Sequence, residues 1–201
     1  MAQIWLPRKD GLKQEQLAGQ DEFLATERRI LIMSEVINFG GSGLIEALMA
    51  LDTISADPIK LFITSPGGAL VGAFSICDAM SMLRSPIYTV GRICASAAIL
   101  PLVMGTAGHR YMTPRGQVML HLPYGAAEGT YQEARIQAEE LRKLTERIAD
   151  ILISRGVKRT QAQVLADIDR EFWMDAREAI DYGLADKILD AATYQGWISG
   201  S

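Results

Sequence analysis

The sequence predicts an α/β domain with a largely covered sheet. Short apolar runs, rich in isoleucine and valine, alternate with helical stretches, the order in which strands and helices share one core. Those runs are also too apolar to leave one face of a sheet in water. With 201 residues, 49 % of them apolar, the chain is long enough for one domain with a substantial core.

Residues 1–20 are polar and aperiodic apart from Ile4, Trp5 and Leu6, and read as a flexible N-terminal arm. Arg29 to Met33 (RILIM) is the first strand. Asn38–Gly43 is a turn, and Leu44 to Leu51 has helical spacing. Pro58 precedes a second strand, Ile59–Thr64, which stops at Ser65-Pro66-Gly67-Gly68. A helix follows from about Ala69 to Leu83, then a third strand, Ile87–Val90, and a bend from Gly91 to Ser96. Tyr111–Met112 and Val118–Leu120 read as short strands around a Pro114–Gly116 turn.

The longest periodic element runs from about Thr130 to Ser154, where Leu141, Leu144, Ile148 and Ile151 line one face. Gly156 ends it. A further helix fits Arg159 to Ile168, and another starts near Asp175, with Glu178 completing a capping box. Gly183 closes that helix, and Lys187–Leu189 is the last strand. Residues 191–201 are expected to form a loose tail that Trp197 anchors. The resulting division is an arm over 1–20, one domain over 21–190 and a tail over 191–201.

Composition excludes several function classes. A net charge of −4 and an acidic composition give no electrostatic footprint for nucleic acid. Two cysteines, Cys77 and Cys94, are no disulfide scaffold and fit a reducing compartment. Two histidines without clustered cysteines make a structural zinc site an unsuitable reading. The longest apolar stretch, Ile93 to Met104, is about a dozen residues, below the length of a membrane span. The N-terminus has the wrong order of charge and apolar residues for a secretory signal. A soluble, cytoplasmic protein is expected.

Three segments carry candidate chemistry. Ser96 lies in Gly91-Arg92-Ile93-Cys94-Ala95-Ser96-Ala97-Ala98, between a strand and an apolar helix. Its small neighbours leave the hydroxyl accessible, and a helix N-terminus offers unpaired N–H groups. A plain serine N-cap fits the same segment. The glycine pair of Ser65-Pro66-Gly67-Gly68 permits φ > 0 and an N–H aimed at a ligand, although an ordinary turn has the same composition. His121 follows a short apolar strand and precedes Pro123-Tyr124-Gly125, so its ring is either a projecting base or simply packed. His109, beside Gly108 and Arg110, is the weaker base. Together the three segments contain what acyl transfer needs: a nucleophile, a base and oxyanion donors.

Phe62-Ile-Thr-Ser-Pro-Gly-Gly68, Cys94-Ala-Ser96-Ala-Ala98, Val118-Met-Leu-His121-Leu-Pro123 and Glu178-Ala-Ile-Asp-Tyr-Gly-Leu-Ala-Asp186 stand in the order and near the spacing of one family. Over about residues 25–190 the chain resembles the Clp protease proteolytic subunit. That resemblance implies the α/β spiral fold that this family shares with the crotonases, with a protruding handle helix over Thr130 to Ser154. It implies Ser96 as nucleophile, His121 as base, and Gly67 and Ala97 N–H groups as oxyanion donors. Gly68, Gly125, Ala126 and Ala127 would line the substrate groove. It further implies two stacked rings of seven subunits, homomeric or shared with a homologous Clp subunit, acting on unfolded polypeptides fed by an AAA+ unfoldase. No cofactor is expected in this chain. ATP is the partner's requirement, since no Gly-rich loop here ends in Gly-Lys-Ser/Thr.

Two positions depart from the family's pattern. Its histidine-orienting aspartate aligns with Glu171, which carries one methylene more; Ser-His-Glu triads serve elsewhere, and Asp169 and Asp167 are nearby substitutes if the loop is shifted. The glycine usual four residues before the serine is Arg92 here, with Gly91 one position earlier, which predicts a local one-residue rearrangement. Cys94 reads as buried filler rather than a nucleophile. The alternative function is a catalytically silent structural subunit of the ClpR kind in a mixed ring. A CoA-thioester enzyme of the crotonase group also needs a glycine-rich oxyanion loop, but the Ser96/His121 pair argues against it.

Overall fold

The computed structural model describes residues 29–34, 36–125 and 129–199. The N-terminal arm, Ala126 and Ala127 lie outside them. Six strands form one mixed sheet: β1 (Ile30–Met33), β2 (Ile59–Ser65), β3 (Ile87–Ala95), β4 (Arg110–Leu120), β5 (Phe172–Asp175) and β6 (Lys187–Ile188). β1 to β4 lie side by side in chain order and are all parallel. Such neighbours need a crossover between them. α1 (Ser42–Ile54) and α2 (Leu70–Met82) supply the first two, and a 3₁₀ turn at Ser96–Ala98 running into α3 (Ile99–Val103) supplies the third.

The far edge of β4 is shared. Its beginning pairs in parallel with β6 at Tyr111 and Met112, and its end pairs antiparallel with β5 from Gln117 to Leu120. Against β3 the register jumps from Gly91↔Met112 to Ile93↔Gln117. The two short strands read from the sequence are therefore one strand, with the Pro114–Gly116 segment looped out of the ladder.

The main core lies between the sheet and α1 to α3 and the lower half of α4 (Tyr131–Ser154). It includes Leu48, Leu61, Ile63, Ile76, Leu102, Met112 and Leu152, all nearly inaccessible to solvent. α4 opens on a full capping box between Thr130 and Glu133. Over its first ten residues it buries no side chain, and only from Thr145 onward do residues enter the core. α5 (Gln161–Asp167) and α6 (Ala176–Tyr182) each start with a capping box as well, the second at Asp175/Glu178 as the sequence predicts.

Arg110 ties this region together. Its side chain is 7 % exposed and grips Asp186 through Nε (3.0 Å) and Nη2 (2.5 Å). Its Nη1 also donates to Arg155 O (2.6 Å) and Gly183 O (3.2 Å), the carbonyls where α4 and α6 end. One buried guanidinium thus satisfies two helix C-termini that lack intrahelical partners.

The opposite face of the sheet corrects the expectation of a loose tail. Residues 191–199 form α7 (Ala191–Ser199), and Trp197 is buried against Ile30, Val90, Tyr111 and Leu189. Its ring meets Phe62 edge-on at 5.1 Å, with the Lys60 ammonium 5.4 Å from its centroid.

Candidate active site

The site is built where β2, β3 and β4 end. Between β2 and β3 the register passes from Ile63↔Gly91 to Thr64↔Ile93, so Arg92 has no opposite number. This β-bulge is the one-residue rearrangement that the displaced glycine predicts. Cys94 sits beside it, its Sγ 3.8 Å from Ile63 O. Complete burial pushes that thiol up to about 12, and burial pushes Cys77 to about 12 as well, so neither forms a thiolate at neutral pH.

After the bulge β3 ends at Ala95 and the chain turns sharply. Ser96 has φ 55, one of two described non-glycine residues in the left-handed region. Such a conformation is strained for an L-residue, and a strained strand-to-helix turn is a known way to expose a nucleophilic hydroxyl. No side chain caps the 3₁₀ turn, which disposes of the N-cap reading. The Ser96 hydroxyl lies instead 2.8 Å from His121 Nε2. His121 reaches it from the end of β4, 25 residues on, and its ring faces that of Tyr124 with centroids 5.7 Å apart. His109 is elsewhere employed, stacked on Tyr88 at 3.9 Å; burial and then Lys187 lower its pKa.

The glycine loop closes one side of the serine. A Cβ on Gly67 would lie 2.7 Å from both Ala95 O and Ser96 Cβ and 3.0 Å from Ala97 N, so only glycine permits this approach. Ile37 pins the loop: its N–H donates to Gly67 O (2.7 Å) and its carbonyl accepts from Ala69 N–H (2.8 Å). The two glycine N–H groups of this loop are placed differently. Gly67 N–H is turned onto the buried Ser65 hydroxyl at 3.1 Å. Gly68 N–H, by contrast, has no acceptor among the described residues. Ala97, second in its turn, presents an N–H with no earlier helical turn to bond. Ser65 is the residue that sequence reasoning missed; a hydroxyl two residues before the glycine was the available signal. Gly125 is exposed beside Leu141 of α4.

The acid expected to orient His121 is nearby but otherwise engaged. Leu120 pairs with Phe172, the last pair of this antiparallel ladder, so His121 and Glu171 each lie one residue beyond it. Yet Glu171 Oε2 accepts from Trp173 Nε1 at 3.0 Å. Asp167 accepts from the Tyr182 hydroxyl at 2.9 Å, and Asp169 is exposed. Among the described residues no carboxylate lies within 4.0 Å of a His121 nitrogen.

Comparison with known proteins identifies the family. A family model for Clp protease matches residues 13–192. The ATP-dependent Clp protease proteolytic subunit 1 of Leifsonia xyli is 38 % identical over 171 residues, covering 84 % of this chain and 86 % of that protein. Its namesake in Rhodopirellula baltica is 35 % identical over 172 residues, covering 83 % and 74 %. A solved ClpP1 point mutant from Listeria monocytogenes superposes with a TM-score of 0.75 at 29 % identity, over 82 % of this chain and 92 % of that one. The chain belongs to the Clp protease family, as a proteolytic subunit and a serine-type endopeptidase.

Proposed function

We propose that Ser96 attacks the carbonyl of an extended, unfolded polypeptide while His121 Nε2 takes the hydroxyl proton. The oxyanion rests on the N–H groups of Ala97 and of Gly68, the latter in place of Gly67. His121 then returns the proton to the leaving amine, and water hydrolyses the acyl-enzyme by the same route. Glu171 is the acid that holds the Nδ1–H tautomer. Gly68 and Gly125, with Ala126 and Ala127 between β4 and α4, flank the peptide. The observation that carries this reading is the 2.8 Å contact between Ser96 and His121, delivered by two strand ends.

The rest of the proposal concerns assembly. The chain takes the spiral fold, with α4 as its handle helix. Exposed Tyr131 and Ile136, on a helix half that buries nothing of its own, support a subunit contact there. Two stacked seven-membered rings, homomeric or shared with a homologous subunit, enclose the serines. An AAA+ unfoldase feeds the chamber and uses the ATP. Two buried free thiols support a reducing, cytoplasmic setting.

The distance of any carboxylate from His121 favours one second reading, the silent structural subunit. Fluorophosphonate labelling of the ring-assembled protein, read by mass spectrometry, separates the two. A single adduct on Ser96 that is absent in Ser96→Ala supports the peptidase. An assembled preparation without adduct leaves the silent subunit.

A further inference from the structure

Trp173 stands in register with Met119, and Glu171 lies two residues before it, just ahead of β5. Opposed residues of an antiparallel pair share a face, and residues two apart share it too. Met119 and Trp173 therefore share a face, and His121 and Glu171 follow two residues along from them, just past the end of the paired stretch. The burial pattern agrees, with Val118, Leu120 and Met174 turned to the core and Glu171 and Trp173 to solvent. Leu122 N–H donates to Ile168 O at 2.8 Å, which keeps the loop bearing Glu171 against the histidine's segment. The backbone thus sets the acid within reach of His121, while its carboxylate is spent on an indole N–H.

From this geometry, and resting on the catalytic roles proposed for Ser96 and His121, we propose that Trp173 is a positioning residue. It competes with His121 Nδ1–H for the Glu171 carboxylate. In this proposal the two donors share one acceptor, and a change of Glu171 rotamer moves it from one to the other. With the carboxylate on Trp173 the imidazole lacks its orienting partner; with it on His121 the triad is complete. An indole can only donate, and Glu171 Oε2 is the acceptor it has found here. Trp173 is half-exposed, so water weakens the hold and both rotamers stay accessible. One solvent-exposed hydrogen bond of this kind shifts a two-state population by about two- to tenfold.

The test compares the full-length protein with Trp173→Phe, which keeps the ring and removes the donor, with Glu171→Ala, and with the double variant. The readout is the rate of fluorophosphonate acylation of Ser96 at fixed protein concentration. Trp173→Phe is expected to react about two- to tenfold faster than the parent, and Glu171→Ala more slowly. The double variant should match Glu171→Ala, because the indole acts only through that carboxylate. An unchanged or slower Trp173→Phe, or a double variant still accelerated, overturns the proposal. A crystal structure of Trp173→Phe reads the geometry without relying on reactivity. Glu171 bonded to His121 Nδ1 supports the latch even if no variant is labelled, in which case the catalytic reading fails alone. Glu171 still turned away from His121 sinks the latch even if Ser96 reacts.

Discussion

If the positive φ of Ser96 is strain held by the fold, removing the side chain and removing the strain have separable effects. Ser96→Ala and Ser96→Gly both delete the hydroxyl and its contact with His121, so neither reacts. They differ in backbone preference at φ 55. The left-handed region costs an L-residue about 1–2 kcal/mol, and glycine nothing. Glycine in turn forfeits about 0.4–1 kcal/mol through its freer unfolded chain. The net expectation is that Ser96→Gly is the more stable of the two by about 0.5–1 kcal/mol, a Tm about 1–4 °C higher for a chain of this length. Scanning calorimetry at one common protein concentration makes the comparison, since assembly makes Tm concentration-dependent. A glycine variant melting at or below the alanine variant would refute the claim that the nucleophile's turn is strained.

Three further outcomes follow from contacts already described. Gly67→Ala forces a Cβ to within 2.7 Å of Ala95 O and Ser96 Cβ at φ 102; displacing the serine by about 1 Å should slow labelling on the order of 10²-fold, and labelling at the parent rate would contradict the packing. Asp186→Ala leaves the buried Arg110 with carbonyl partners only, which should cost about 3 kcal/mol and lower Tm by about 6–12 °C. Burial alone raises the Asp186 pKa, but the side-chain and backbone hydrogen bonds of Arg110 and its charge outweigh that and hold it low. Its stabilisation is therefore complete above the unfolded value near about 4 and is lost as pH falls through the folded value. Asp186→Asn should flatten the acid limb of a Tm–pH profile, and parallel profiles would count against this.

What the sequence made legible was local in origin. Apolar runs marked the parallel strands, and the capping box at Asp175 marked a helix start. The displaced glycine before Ser96 foretold the bulge at Arg92. The misses arose where a tertiary partner decides. Whether Gly67 or Gly68 offers its N–H depends on where the Ser65 hydroxyl turns, which no glycine pattern encodes. The paired stretch of β4 and β5 ends between His121 and Glu171, and the Glu171 carboxylate goes to Trp173, a choice no local pattern encodes. Residues 191–199 carry little helical pattern of their own. Their helix is stabilised by docking Trp197 on a face assembled from β1, β2, β3 and β4, side chains as much as 167 residues away in sequence.

The same distinction separates the rigid and the adjustable parts of the site. A Cβ at Gly91 would fall 2.7 Å from Met112 Sδ and 3.0 Å from Cys94 Sγ, and Cys94 in turn lies against Ile63 O at the bulge. Core packing therefore dictates the path of β3 into Ser96, and the end of β4 brings His121 to it. Glu171, just ahead of β5, and Trp173 on it have exposed side chains, whose rotamers exchange readily, and their hydrogen bond competes with water. On the roles proposed above, the chemistry sits on the interior strand ends, whereas the orientation of the histidine depends on Glu171 at the surface. A subunit contact or a bound peptide that favours one Glu171 rotamer can set the enzyme's activity without deforming the sheet.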